Sequence, residues 1–418
     1  PGGPCRGRIH HPFPRLLNNY IVQFISSVVC LAVYACYCFN SDFVEISLIQ
    51  GFVVLSGMLD VNWVFFGLEE FRVTVIRNAV CKIISVLAIF LFVRTSDSLW
   101  IYTLIMSLAI FVSQAVMWPF LLKRIKLVKP SWPKVKSNIK SIVVLFIPIL
   151  SYSIYMLIDK TQIGLLSDMK NVGYYSNAEK IMNIPVSLVT ALGTVMLPRA
   201  SNVLASGDDK LHEHYLLMSF SFVAVIEGFI CFGISSVATI FAPIYFGEEF
   251  DVSGEILKFL IFAPLISGFA NVIRTQYLIP KYLDRVYVIS TFVAAVVNFS
   301  FNLVFIPIFQ AKGAVIGTIC AEASVLIIQG YCVKNELPWR KIAASSIPYL
   351  LVAFVTYLYI LLANQLFHIG SLQLLLFDLI SGSLVYTVVL FFVAKKKRDG
   401  IWELISSNLN RFSPCCGN

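Results

Sequence analysis

Twelve times along this chain, about 20 or more mostly apolar residues follow one another: 20–39, 43–66, 74–93, 99–122, 142–164, 176–198, 214–240, 254–280, 285–307, 313–333, 342–364 and 371–394. That is the length a helix needs to cross the roughly 30 Å hydrocarbon core of a bilayer. In lipid each backbone N–H and C=O must be satisfied within the protein, so such runs become helices. The pattern predicts an all-α, polytopic membrane protein with 12 transmembrane helices. Composition excludes the soluble alternatives. Of 418 residues 58% are hydrophobic and 13% charged, with a mean hydropathy of +0.82, against roughly 45–50% and 25% in soluble domains. A soluble enzyme or a disulfide scaffold with these proportions would expose a largely apolar surface.

The net charge of +9 (32 Lys and Arg against 23 Asp and Glu) sorts by membrane side rather than forming a nucleic-acid surface. With the helices numbered in order, the N-terminus, the even-to-odd loops and the tail hold nearly all the loop cations, among them Arg72, Arg77 and the basic 123–141 segment. The opposite loops hold only Arg94, Lys170 and Lys312. By the positive-inside rule both termini are cytoplasmic. No loop is long enough for a catalytic domain, and no GxxxxGK[ST] phosphate loop occurs. Most of the ten cysteines fall inside helices, where cysteine packs as a small hydrophobe. The five histidines form no i,i+4 pair. No cofactor and no metal are expected.

An internal repeat divides the chain. Arg72-Val73-Thr74-Val75-Ile76 opens helix 3, and Arg285-Val286-Tyr287-Val288-Ile289 opens helix 9, on the same membrane side and with matching neighbours. The resulting organisation is a non-native or disordered N-terminus (1–19), a partial N-lobe of four helices (20–122) and a basic cytoplasmic inter-lobe loop (123–141). A C-lobe of six helices (142–333), a C-terminal helix pair (334–394) and a cytoplasmic tail (395–418) follow. Helices 5 and 6 lack counterparts ahead of helix 1, and the chain opens Pro1-Gly2-Gly3-Pro4 without an initiator Met. The expectation is that an N-terminal helix pair, roughly 50–70 residues by spanning length, is missing.

The stretch Asp60-Val61-Asn62-Trp63-Val64-Phe65-Phe66-Gly67-Leu68-Glu69-Glu70-Phe71, then Ile76-Arg77-Asn78 and Lys82, resembles a conserved run of the polysaccharide flippases. Leu157-Ile158-Asp159-Lys160, Val172-Gly173-Tyr174-Tyr175-Ser176-Asn177-Ala178-Glu179-Lys180 and Gly313-Ala314-Val315-Ile316-Gly317-Thr318 through Ala321-Glu322 are similar to the same family. These are the O-antigen and capsule repeat-unit flippases of the MATE-like multidrug/oligosaccharidyl-lipid/polysaccharide exporter superfamily. The resemblance implies translocation of an undecaprenyl-pyrophosphate-linked oligosaccharide from the inner to the outer leaflet of the bacterial plasma membrane. The implied partners are that lipid-linked glycan, the bilayer and a polysaccharide polymerase complex. Ion-coupled multidrug antiport and flipping of a lipid-linked peptidoglycan precursor are the alternatives. A membrane polymerase or glycosyltransferase is disfavoured by the short outer loops.

A charge at the bilayer centre costs at least about 2.5–3.5 kcal/mol, so intramembrane ionisable residues are the first functional candidates. Glu227 and Glu322 lie near the middles of helices 7 and 10 and are candidates for ion coupling. Arg274 and Lys82, towards the inner ends of helices 8 and 3, suit a pyrophosphate. Snorkelling to the interface is the competing explanation. Asp60 lies at similar depth and is a candidate ion partner of one of them. Asp159, Lys160, Glu179 and Lys180, read as near the outer ends of helices 5 and 6, form either a headgroup site or a surface ion-pair cluster. Gly313, Gly317 and Ala321 have the small-xxx-small spacing of close helix contact. Pro148, Pro185, Pro264 and Pro348 are expected to kink their helices. Tyr174, Tyr175, Trp63 and Trp118 fit aromatic belts at the interfaces.

Overall fold

The computed structural model describes residues 13–41, 43–67, 71–123, 132–133, 139, 157–367, 370–403 and 405–406. Every regular element among them is helical. Eleven segments among the described residues are long and apolar enough to cross a membrane, matching eleven of the twelve expected spans. The remaining one, 142–164, falls outside the described residues except for its end, which is helical from 157. Pro148 lies outside them as well. The chain forms two units, Pro1–Ser151 and Tyr152–Asn418.

In the first unit the helices are α1 (Phe13–Phe39), α2 (Val44–Leu59), α3 (Asn62–Gly67), α4 (Phe71–Phe92), α5 (Leu99–Ala115) and α6 (Met117–Leu122). The expected single helix over 43–66 is therefore broken. Asp60 leaves the helical region (φ −70°, ψ 109°), and its Oδ1 accepts the Asn62 N–H at 2.9 Å. Carbonyls freed by the break find side-chain donors. Gln23 Nε2 donates to the Gly57 and Asp60 carbonyls at 2.8 and 2.7 Å, and the Trp118 indole to the Leu59 carbonyl at 3.1 Å. The Trp63 indole donates to Gln23 Oε1 at 3.0 Å and so holds that amide in place. An unmet carbonyl in hydrocarbon costs several kcal/mol, so these donors let the break exist. The aromatic-belt expectation for Trp63 and Trp118 gives way to this role.

In the second unit, α7 (157–166) leads to α8 (Met169–Ser206), α9 (Asp209–Phe246), α10 (Asp251–Leu260) and α11 (Ala263–Ile273). Then come α12 (Asp284–Phe309), α13 (Ala311–Cys332), α14 (Trp339–Leu366) and α15 (Ser371–Lys397). Helix α8 begins seven residues before the expected span, because the Asp168 side chain caps it by accepting the Asn171 N–H at 2.7 Å. Gly207, at φ 74°, ends it in the left-handed region. Its 38 residues measure about 57 Å, nearly twice a hydrocarbon core. Its polar opening is helical because Asn171, Tyr174 and Tyr175 turn inward and are buried.

The expected span 254–280 is also divided. Pro264 is the second residue of α11, where its missing N–H is no loss, so it starts a helix instead of kinking one. The chain then widens into one π-helical turn at Arg274–Leu278. The glycine ladder does what its spacing predicts. A Cβ on Gly313 would strike the Phe305 carbonyl and one on Gly317 the Asn302 amide, so α13 lies directly on α12.

Candidate functional site

Three carboxylates that are far apart in sequence meet in the second unit. Asp159 of α7, Glu179 of α8 and Glu322 of α13 line one cavity of about 90 Å³, with Tyr175, Thr318 and Ser267 beside them and Pro264 on the wall. Asp159 is the hub. Its Oδ2 accepts from the Tyr175 hydroxyl at 2.8 Å and the Thr318 hydroxyl at 2.9 Å, and its Oδ1 accepts from Asn302 Nδ2 at 2.6 Å. The same Asn302 nitrogen lies 2.8 Å from Gln162 Oε1 and 3.3 Å from Asn298 Oδ1. Tyr175, Asn298, Asn302 and Gln162 are all at most 5% exposed. Four helices thus share one buried polar network, in a bilayer span where each unmet group would be costly.

Local sequence explains the convergence. On α8, Tyr174, Tyr175 and Ala178 form the inward face, which puts the Tyr175 hydroxyl over α7. On α12, Asn298 and Asn302 are one turn apart and face the same way. Gly317, directly against Asn302, brings α13 near enough for Thr318 to reach Asp159. Tyr175 therefore belongs to this network rather than to an interfacial belt. Tyr174 is buried too, with its ring edge-on to Phe250 at 5.8 Å.

The other expected residues separate. Lys160 and Glu179 form an ion pair of 2.5 Å that ties α7 to α8. Lys180 is exposed on the opposite face of α8 and donates to Asn177. Asp159 and Lys160 lie about 10 Å in from the end of α7 at 166, and Glu179 about 15 Å in from the start of α8, by helical rise. Glu179 is not at a helix end, because α8 starts seven residues before hydropathy alone indicates. Glu227 is 2% exposed at the middle of α9, and one of its oxygens has no partner. It does not line the cavity. Arg274 is half-buried where α11 becomes the π turn, its guanidinium 5.3 Å from the Tyr287 ring centroid. It pairs with no carboxylate among the described residues. Within the first unit Asp60 and Lys82 form no ion pair. Asp60 caps the helix break, and Lys82 is exposed.

Among the described residues of the first unit the buried cation is Arg77, counted among the loop charges from sequence. It is 8% exposed inside α4 and donates to Gln114 at 3.4 Å and to Asn78 at 2.7 Å. Sequence reasoning also passed over Tyr175's role, Asn302 and Thr318. The signal available was the Asn298/Asn302 pair, two amides on one face of an apolar helix. Among the described residues no group of three or more His, Cys, Asp or Glu is placed to hold a metal ion.

Residues 15–204 match the family described as polysaccharide biosynthesis protein. A Shigella dysenteriae protein named "Putative O-antigen transporter" is 23% identical over 331 residues, 76% of this chain and 80% of that relative. A solved structure, lipid II flippase MurJ in an inward closed conformation, superposes with a TM-score of 0.69 at 15% identity. It covers 92% of this chain and 84% of its own, and shows that the two share a fold. The chain is accordingly a multi-pass membrane protein with this fold, similar to transporters of polysaccharide biosynthesis.

Proposed function

We propose that this chain moves undecaprenyl-pyrophosphate-linked oligosaccharide repeat units from the inner to the outer leaflet by alternating access. It does so in the bacterial plasma membrane, with both termini cytoplasmic. Arg274 carries the reading. It is a half-buried guanidinium in a break near the end of a span, stacked on Tyr287 and claimed by no carboxylate among the described residues. A planar, permanently charged fork with an aromatic wall suits a pyrophosphate. The π-helical turn widens the span locally at Arg274, a form in which functional residues often occur.

The carboxylate cavity takes the driving role. At about 90 Å³ it admits a small ion or a few waters. Ligand pockets for organic molecules run to roughly 300–1,000 Å³, so neither a sugar nor an organic drug cation is its occupant. Glu322 keeps its assignment as an ion-coupling residue. Asp159 and Glu179 join it there rather than binding the headgroup, while Lys160 is spent on Glu179. Ion entry would compete with Tyr175, Thr318 and Asn302 for the Asp159 oxygens and so change how α7, α8, α12 and α13 pack.

The test is complementation of a strain lacking its O-antigen or capsule flippase, scored by surface glycan. Arg274→Ala should abolish rescue with normal membrane insertion, and Arg274→Lys should restore only part of it. Full rescue by Arg274→Ala would remove the residue from the substrate path.

A further inference from the structure

Apolar grooves on the flank of a membrane protein are ordinary, but unpartnered polar atoms in the residues that line them are not. A groove of about 600 Å³ runs between α13 and α14. Phe220 and Ile342 floor it, while Ile327, Tyr331 and Ile347 stand exposed along its lip. Two polar side chains also line it, the Trp339 indole and the Ser346 hydroxyl. The Trp339 Nε1 and Ser346 Oγ atoms are buried and without a partner, and Ser346 as a whole is 5% exposed. Gly330 admits the indole, since a Cβ there would come within 3.2 Å of the ring. In hydrocarbon such unmet donors cost several kcal/mol each.

Lys334 lines one end of the groove. Lys334 lies over the Tyr331 ring at 4.1 Å from its centroid, and Arg340 follows Trp339 directly. Neither pairs with a carboxylate among the described residues. Their neighbours are already spent, Lys281 on Glu336 and Lys341 on Glu213. Apolar walls, two unpartnered donors, a lining cation (Lys334) and a second exposed cation next to Trp339 in sequence (Arg340) select a particular occupant. A neutral hydrocarbon leaves the cations and donors unmet, and a soluble anion leaves the walls bare.

We propose that this groove is a binding site for an anionic phospholipid. One acyl chain lies in the slot, the ester oxygens accept from Trp339 and Ser346, and the phosphate meets Lys334 and Arg340. Basic pockets between spans are suited to anionic headgroups. The site is separate from the carboxylate cavity and from Arg274, so it stands whether or not the glycan reading does.

The test uses the purified full chain in detergent. It is offered equal amounts of palmitoyl-oleoyl phosphatidylglycerol, palmitoyl-oleoyl phosphatidylcholine and undecaprenyl phosphate, with the bound species read by native mass spectrometry. The wild type should retain phosphatidylglycerol over phosphatidylcholine by on the order of tenfold. Lys334→Glu with Arg340→Glu should bring the two to parity. Ala343→Phe, which fills the slot, should strip both while gel filtration and thermal midpoint hold. Equal retention of the two phospholipids by the wild type would overturn the proposal. So would undecaprenyl phosphate displacing phosphatidylglycerol, or unchanged selectivity in the charge-reversed variant.

Discussion

Gly317→Ala probes the link between helix packing and the carboxylate network most directly. In an ordinary exposed helix, exchanging glycine for alanine gains about 1 kcal/mol from backbone propensity. Here the added methyl would overlap Asn302 Oδ1, with the Asn298 carbonyl 3.3 Å behind it. A side-chain amide can normally swing aside, but this one is held at 2.6 Å by Asp159 and at 2.8 Å by Gln162. Swinging it breaks both bonds. A hydrogen bond contributes about 1 kcal/mol net and roughly 1.5–3 to a charged partner, so the cost is about 3 kcal/mol. Offset by propensity, the net destabilisation is about 2 kcal/mol. Gly173→Ala on α8 is the control, since nothing lies within 4 Å of its added Cβ. It should be neutral or slightly stabilising. The assay is thermal unfolding of detergent-purified protein, followed by gel filtration. In an Asn302→Ala background the Gly317→Ala penalty should disappear, because the two positions are directly coupled. Gly317→Ala as stable as Gly173→Ala, or an equal penalty in both backgrounds, would refute the reasoning.

Two further outcomes are expected. Asp159→Asn keeps the size of the hub and lets the Tyr175 and Thr318 hydroxyls reorient, so it should cost only about 1–2 kcal/mol in thermal stability. It should nonetheless abolish flippase complementation, and rescue at the wild-type level would take Asp159 out of ion coupling. The second concerns the end of the π turn, where Tyr277 and, just beyond it, Lys281 meet Glu336 of the loop that joins α13 to α14. Hydrogen bonds from Tyr277 and then Lys281 pull the Glu336 carboxyl below its usual range. Burial works to lower Lys281, but its bonds to Tyr277 and Glu336 outweigh that and raise it. A lowered carboxyl stabilises above its unfolded value, about 4.3, and the contribution fades as pH falls through the folded one. A raised amine stabilises below its unfolded value, about 10.4, and its contribution fades only as pH rises through the folded one. The pair is half exposed, so Glu336→Gln should lower stability by less than about 1 kcal/mol, evenly from about pH 5 to 9. That difference should shrink towards about pH 3, and one that grows on acidification would contradict the sign.

Hydropathy located the eleven described spans because a bilayer demands apolar length before anything else. It also placed Glu227 and Glu322 near mid-helix, a position that depends only on counting residues. The glycine ladder was legible for the same reason, since close approach needs small residues at a fixed spacing. Hydropathy could not see that Asp60 ends a helix. That break depends on Gln23 and Trp118, which reach back from other helices to satisfy its carbonyls. Nor could it start α8 at Met169, because the polar residues there look like loop until Asp168 caps them and Asn171 and Tyr175 find partners.

The candidate site divides the same way. Sequence alone picked Glu322 as a charge a membrane would not carry without reason, and read Asp159 and Glu179 as a headgroup site or a surface ion-pair cluster near helix ends. It could not tell that they share one small cavity, or that Lys160 is consumed by Glu179 while Lys82 is left exposed. Membrane insertion selects on the sum of apolar transfer free energy along one segment, and that sum can be read from one dimension. Hydrogen bonding between segments depends on which faces meet. Only the packing of α7, α8, α12 and α13 brought Asp159, Tyr175, Asn302 and Thr318 within bonding distance.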